Sequence, residues 1–251
     1  MLSIQGVSKS FGALQALKQV SFEIQTGRVH GIIGPNGSGK TTLFNCITGH
    51  LVPEVGTIRF ASKVISGLEP HLIAGMGIRR TFQGGKLVSN LTVLENVMAG
   101  RYSFRARDFV DVFLRIPFRR SGVERQIEEA ALEALALVGM EEHAGRWASD
   151  LVWAERQFVQ IARTLVSRPS IVLLDEPNSG MGSQETELIE NIIRRIREMG
   201  ITVVVISHDV KMLMNLSDWV TVLNFGETIG AGVPEAMQKD PRVLEAYLGA
   251  E

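Results

Sequence analysis

The sequence has very little cysteine and no long apolar run. Its 251 residues include one cysteine, Cys46, which excludes an intrachain disulfide framework and a metal site built from several cysteines. The longest mostly apolar runs, such as 171–174 and 201–206, are far shorter than the ~20 residues that span a bilayer. Residues 1–6 resemble a first strand and lack the cationic and apolar regions of a signal peptide. We therefore expect an intracellular protein without a transmembrane segment.

The sequence also lacks an excess of charge of either sign. Lysine and arginine number 26 against 27 aspartates and glutamates, so the formal net charge is −1. Without a bulk positive field, nothing draws the whole chain onto nucleic acid, and we expect no nucleic-acid partner. A hydrophobic content of 45% supplies a sizeable core and excludes wholesale disorder.

Short apolar runs and helix-length segments alternate along most of the chain. Strands are predicted at 2–8, 20–24, 29–33, 57–60, 171–174, 202–206 and 220–224. Helices are predicted at 40–48, 122–138, 155–166, 185–199 and 210–216. This alternation favours an α/β fold with a mostly parallel sheet, preceded by an antiparallel β edge sheet. Residues 87–149 show only helical periodicity, so we expect an inserted α-helical subdomain there, with 1–86 and 150–251 forming the α/β core.

A glycine-rich segment matches the phosphate-binding loop pattern G-x-x-x-x-G-K-[ST] at every fixed position. It consists of Gly34, Pro35, Asn36, Gly37, Ser38, Gly39, Lys40 and Thr41. Glycines let successive backbone N–H groups turn inward toward an anion, and the following helix adds its positive end. Lys40 is expected to reach the β- and γ-phosphates of ATP, the Thr41 hydroxyl to bind Mg²⁺, and Thr42 to bind an α-phosphate oxygen. The motif therefore predicts a P-loop ATPase core.

Two carboxylates follow the predicted strand 171–174. Ligands of open α/β sheets lie at the carboxyl ends of the strands, which is where Asp175 and Glu176 stand. We expect Asp175 to hold Mg²⁺ and Glu176 to act as the base that polarises the attacking water. A strand-end acidic pair can also cap a neighbouring helix, but the upstream phosphate loop favours the catalytic interpretation.

With these motifs in order, the sequence resembles the ATP-binding subunit of ABC transporters over nearly its whole length. The resemblance implies three further site residues. Phe11 would stack on adenine, and His208 would contact the γ-phosphate as a catalytic switch residue. Gln83, in Thr81-Phe82-Gln83, would serve catalysis, sense Mg²⁺ and meet the membrane subunits.

Finer features resemble the branched-chain amino acid importers of the LivG type, notably residues 80–83, 91–97, 207–210 and the tail 240–249. The resemblance implies an ATP-hydrolysing importer subunit, for branched-chain or other amino acids, on the cytoplasmic face of the inner membrane. It implies permease partners, a second ABC ATPase subunit and, indirectly, a solute-binding protein. A urea or amide importer subunit and a weakly hydrolytic regulatory ABC ATPase remain alternatives. An ABC ATPase acting on DNA or ribosomes is disfavoured by the single cassette.

The sequence departs from the family pattern at two loops. In the signature loop, 151–155, Val152 replaces the usual serine and Ala154 the usual glycine. Valine has no hydroxyl for a phosphate oxygen, and alanine adds a Cβ where backbone approaches closely. Gly182 stands where the subfamily usually has Asn or Asp. Because Val152 and Ala154 weaken the signature loop, we predict a heteromeric partner whose own signature loop is normal.

Overall fold

The computed structural model describes residues 1–81, 87–101 and 122–248. The chain falls into two compact units. The first combines Met1–Arg80 with Ser170–Glu251, and the second is Thr81–Pro169. Within the described ranges, no helix has both the length and the apolar character needed to cross a membrane.

The first unit contains ten strands. In chain order they are β1 (Leu2–Phe11), β2 (Leu14–Ile24), β3 (Val29–Ile33), β4 (Val55–Phe60), β5 (Lys63–Val64), β6 (Ile78–Arg80), β7 (Ile171–Asp175), β8 (Thr202–Ile206), β9 (Trp219–Asn224) and β10 (Glu227–Gly232). They form a four-stranded sheet in the order β2-β1-β4-β5 and a six-stranded sheet in the order β10-β9-β3-β8-β7-β6.

Helices separate many of these strands along the chain. In the first unit they are α1 (Lys40–Ile47), α2 (Pro70–Gly75), α6 (Ser183–Glu198), α7 (Val210–Leu216), α8 (Pro234–Met237) and α9 (Pro241–Leu248). In the described part of the second unit they are α3 (Val93–Ala99), α4 (Gly122–Leu137) and α5 (Trp153–Leu165), with 3₁₀ turns at Glu141–His143 and Ala148–Asp150.

The six-stranded sheet is parallel except for β10, which pairs antiparallel with β9. Every residue of β3, β7 and β8 is buried. This explains their continuous apolar sequences, because a central parallel strand is covered on both faces. The parallel arrangement brings the carboxyl ends of these three strands to one edge of the sheet, where the phosphate loop and the acidic pair begin.

The four-stranded sheet is wholly antiparallel. In β1, Leu2 pairs with Ile24 of β2 on one side and with Phe60 of β4 on the other. These residues belong to a core cluster that also includes Phe44 of α1. The first unit thus has one hydrophobic core shared by the antiparallel sheet, α1 and the parallel sheet.

The described part of the second unit is helical, apart from an isolated bridge between Thr92 and Trp147. Helix α3 begins with a capping box, in which Thr92 and Glu95 exchange side-chain and backbone hydrogen bonds. The buried Asn96 fixes the preceding loop, because its side chain bonds the backbone of Val88. The predicted helical segment 87–149 lies inside this unit.

The predicted fold class is confirmed: a mostly parallel sheet, an antiparallel sheet and helices. The structure adds strands β5, β6 and β10, which the sequence analysis did not predict. Strands β5 and β6 have only two and three residues, too few to show a period. Strand β10 contains two glycines, Gly230 and Gly232, which weaken a strand pattern.

Candidate nucleotide-binding site

The phosphate loop connects the end of β3 to the start of α1, as the motif predicts. Gly34 has φ +156°, and a Cβ there would lie 2.1 Å from the carbonyl oxygen of Leu223. Gly39 has φ +102°, and its Cβ would lie 2.5 Å from the carbonyl oxygen of Ala16. Both positions therefore require glycine, because the backbone of the loop packs directly against neighbouring backbone.

The side chain of Lys40 folds back across the loop. Its ammonium donates hydrogen bonds to the carbonyl oxygens of Gly34 at 2.7 Å and Pro35 at 2.9 Å. Burial lowers the pKa of Lys40, while the carboxylates of Glu176 and Asp175 act in the opposite direction. Two carboxylates that are far from Lys40 in sequence thus favour its charged form.

The rest of the loop leaves groups open for a ligand. Asn36, Gly37 and Thr41 are exposed, whereas Ser38 is buried. The Ser38 carbonyl accepts a hydrogen bond from the N–H of Gly226 at 3.1 Å, which ties the loop to the turn after β9. The first N–H groups of α1, including those of Thr41 and the half-buried Thr42, precede any carbonyl partner within the helix. This arrangement suits a polyphosphate.

Strand β7 delivers the predicted acidic pair. Asp175 is buried, and its Oδ2 forms an ion pair with Nη2 of Arg80 at 2.7 Å. Sequence reasoning assigned no role to Arg80, because the pairing joins strand ends that are far apart along the chain. Glu176 has φ +48°, a left-handed conformation that is uncommon for glutamate. Its N–H donates to the carbonyl of Ile206 at 2.8 Å, which holds this conformation beside the end of β8.

His208 follows β8 and lies beside Glu176. Its Nδ1 is 3.6 Å from Oε2 of Glu176, and its side chain is exposed. Directly after it, Asp209 caps helix α7, since its Oδ1 accepts a hydrogen bond from the N–H of Met212 at 2.9 Å. The structure therefore brings together two of the three predicted catalytic residues.

A buried polar network ties the His208 loop to the loop after Glu176. The Ser207 hydroxyl donates to Oδ1 of Asn178 at 2.9 Å and accepts from the N–H of Asp209 at 3.0 Å. The Asn178 amide in turn donates to Oδ2 of Asp209 at 3.4 Å. This network was not predicted, because its partners Asn178 and Ser207 lie on loops that are far apart in sequence, although Ser207 directly follows an apolar strand.

The chemistry of this site fits Mg²⁺. Hydroxyl and carboxylate oxygens, here those of Thr41 and Asp175, are the ligands that Mg²⁺ prefers. Among the described residues, no group of three or more His, Cys, Asp or Glu side chains could hold a metal ion. Mg²⁺ commonly binds through one or two protein oxygens together with substrate phosphates, and Thr41 and Asp175 can supply the protein oxygens.

Phe11, the residue predicted to stack on adenine, is exposed at the surface. Phe11 ends β1 at the hairpin to β2 and is 47% exposed, and the ammonium of Lys9 lies 5.8 Å from its ring centroid. An exposed aromatic ring of this kind is available for stacking on a flat base. Gln83 lies outside the described residues.

The predicted signature loop forms the start of helix α5. Val152 occupies the N-cap position and is 62% exposed. Its N–H donates to Oε2 of Glu155 at 3.0 Å, but valine has no oxygen to return the bond. Glu155 is held in place by Nη1 of Arg146 at 2.9 Å. Only half of a capping box is therefore present.

Comparison with known proteins decides the family. Residues 17–179 match the model of the ABC transporter family. The chain belongs to the ABC transporter family. Residues 227–251 also match the branched-chain amino acid ATP-binding cassette transporter model. The chain is therefore an ABC ATPase, as the sequence predicted.

Individual ABC proteins resemble the chain over nearly its full length. It is 38% identical to the high-affinity branched-chain amino acid transport ATP-binding protein BraF of Pseudomonas aeruginosa, covering 99% of this chain and 98% of that protein. It is 36% identical to LivG of Escherichia coli, another high-affinity branched-chain amino acid transport ATP-binding protein. That match covers 99% of this chain and 98% of LivG. The ADP conformation of an ATP-binding cassette of an ABC transporter superposes with a TM-score of 0.87, at 32% identity, covering 99% of this chain and 98% of that cassette.

Proposed function

We propose that this ABC ATPase binds and hydrolyses Mg-ATP to power an importer for branched-chain amino acids. The observation that carries the proposal is that the parallel strands β3 and β7 place the phosphate loop with Lys40 and the acidic pair Asp175 and Glu176 at the same edge of the sheet, because this joins a phosphate-binding cation to the two carboxylates that hydrolysis needs. The amino acid itself would not touch this subunit, so we take the substrate class from the names of the relatives.

In the proposed reaction, the ammonium of Lys40 exchanges its bonds to the loop carbonyls for oxygens of the β- and γ-phosphates. The loop from Gly34 to Thr42 supplies N–H groups to the remaining phosphate oxygens, and Phe11 stacks on adenine. Thr41 and Asp175 would hold Mg²⁺, with Gln83 as a further ligand, and the bound cation would neutralise charge that develops on the phosphates.

Glu176 is the proposed general base. Its carboxylate would accept the proton of the attacking water while His208 donates a hydrogen bond to the γ-phosphate. The left-handed backbone of Glu176 and its 2.8 Å bond to Ile206 fix the start of this side chain.

The proposed partners are a second ATPase subunit and the permease subunits. Each ATP would lie between the phosphate loop of one ABC subunit and the signature loop of another. Since Val152 and Ala154 weaken this chain's signature, we propose a different chain with a normal signature as the second subunit. Gln83 and the helical subdomain 87–149, distinct from the α/β core of 1–86 and 150–251, would contact the permease subunits at the cytoplasmic face of the inner membrane.

Reconstitution tests the proposal. The chain is co-expressed with its candidate membrane subunits and second ATPase, and the complex is placed in liposomes with ATP on the cassette side. We expect ATP-dependent uptake of leucine, isoleucine or valine that Glu176→Gln abolishes. Uptake of urea instead, or ATP hydrolysis that no amino acid and no permease changes, would overturn the branched-chain importer in favour of the other two functions.

A further inference from the structure

The guanidinium of Arg80 forms an ion pair with the predicted metal ligand Asp175. The two side chains are 5% and 3% exposed, and Nη2 of Arg80 lies 2.7 Å from Oδ2 of Asp175. A charge-assisted bond at this distance between buried partners is strong, because little water screens it. A divalent cation that binds Asp175 therefore competes with the Arg80 guanidinium for the charge of this carboxylate.

Arg80 is held in this position from the other side by helix α1. Its Nη1 donates to Oδ1 of Asn45 at 2.7 Å, and the guanidinium carbon lies 5.4 Å from the ring centroid of Phe44. A second, longer contact from Nη1 reaches Oγ1 of Thr48 at 3.4 Å. The guanidinium thus joins the end of β6, the end of β7 and the helix that begins at Lys40.

We propose that Arg80 is a positioning residue that fixes the Asp175 carboxylate at the end of β7 and competes with the divalent cation for it. The inference rests on the proposed function, since it takes Asp175 as a ligand of Mg²⁺. Arg80 would thereby set the concentration of free Mg²⁺ at which the nucleotide site becomes loaded. The alternative is that the ion pair only stabilises the fold.

Mn²⁺ binding distinguishes the positioning role of Arg80 from an ion pair that only stabilises the fold. Mn²⁺ is titrated into the purified full chain with bound ADP at constant pH and ionic strength, and free Mn²⁺ is followed by electron paramagnetic resonance. For Arg80→Gln we expect Mn²⁺ affinity to rise at least about tenfold, because removing one charge next to a divalent cation has roughly that effect in a water-like dielectric and a larger one where little water screens the charges. Arg80→Lys keeps the charge and should stay within about twofold of the wild type. ADP affinity without metal should change little in either variant.

Arg79→Gln is the matched control, since it removes the same charge from the neighbouring residue of β6, whose side chain points to the opposite face of the strand. It should leave Mn²⁺ affinity within about twofold of the wild type. Unchanged Mn²⁺ affinity in a folded Arg80→Gln variant, or an equal rise in Arg79→Gln, would overturn the proposal.

If Arg80→Gln does not fold, Asn45→Ala is the deciding variant, because it removes one hydrogen-bond partner that holds Arg80 in place. Higher Mn²⁺ affinity in Asn45→Ala supports the role of Arg80, and unchanged affinity overturns it. A wild-type chain that binds no ADP would instead refute the proposed function.

Discussion

Oε2 of Glu176 lies 3.6 Å from Nδ1 of His208, although the two residues are 32 positions apart. The approach follows from the parallel pairing of β7 with β8, in which Asp175 is registered opposite Ile206. Each functional side chain comes just after its strand ends, so the sheet itself places them side by side. The pair is thus available to act on one water and one phosphate.

Replacing His208 by alanine should slow ATP turnover about 10- to 100-fold, the loss expected for one hydrogen bond to a charged phosphate. ATP affinity should change less, because the phosphate loop is intact. Phosphate release by the assembled complex measures turnover, and His71→Ala, an exposed histidine on α2, is the control. Normal turnover in the His208 variant would exclude this histidine from the reaction.

Lys40→Ala should weaken ATP binding by roughly one to two decades, since a charge-assisted contact contributes roughly 1.5–3 kcal/mol. The loop also loses the bonds from Lys40 to Gly34 and Pro35. Calorimetric titration with ATP measures the affinity, and Lys211→Ala removes an exposed lysine on α7 as the control. If both variants bind ATP equally well, Lys40 does not contact the nucleotide.

Restoring the signature loop should have two separable effects. Val152→Ser supplies the missing oxygen of the capping box with Glu155, and should stabilise the chain by about 1 kcal/mol. Combined with Ala154→Gly, it should raise ATPase activity of the isolated chain, in which every phosphate loop would otherwise face a poor signature. Thermal unfolding reports the first effect and phosphate release the second. Brisk hydrolysis by the unmodified chain alone, with no gain on restoration, would contradict the need for a different partner.

The buried His30 should make the stability of the fold depend on pH. It is 2% exposed, bonds Oγ1 of Thr221 at 2.9 Å and stacks on Phe22. Burial lowers its pKa from 6.5 to about 4. Between these values the unfolded chain takes up a proton that the folded chain does not, so stability falls as the pH falls, by about 3 kcal/mol in all.

Urea unfolding at several pH values from 7.5 to about 4 measures this effect. The variant His30→Gln cannot take up that proton, so its unfolding free energy should decline less steeply than that of the wild type below pH 6.5. Other titrating groups act equally on both proteins and cancel in the difference. Parallel curves for the two proteins would show that His30 takes up its proton over the same pH range in the folded and the unfolded chain, which would contradict a pKa lowered by burial.

The core of this fold could be predicted from sequence because its central strands are short apolar runs next to distinctive loops. Strand β7, with four apolar residues before Asp175, is an example. The order of strands in the sheet could not be predicted, since it depends on packing between segments far apart in sequence. The Arg80–Asp175 ion pair could not be predicted for the same reason, because its two residues lie 95 positions apart. Local motifs specified the loops, and tertiary pairing supplied the side chains that support them.

The most direct test of the account is ATP binding and ATP turnover measured together on Glu176→Gln. Glutamine keeps the size of the side chain and loses its basicity, so the variant should bind ATP as tightly as the wild type. Within the assembled complex, it should hydrolyse ATP at least ~100-fold more slowly, the range for loss of a general base. Hydrolysis at the normal rate would contradict the central claim, because the base would then lie elsewhere.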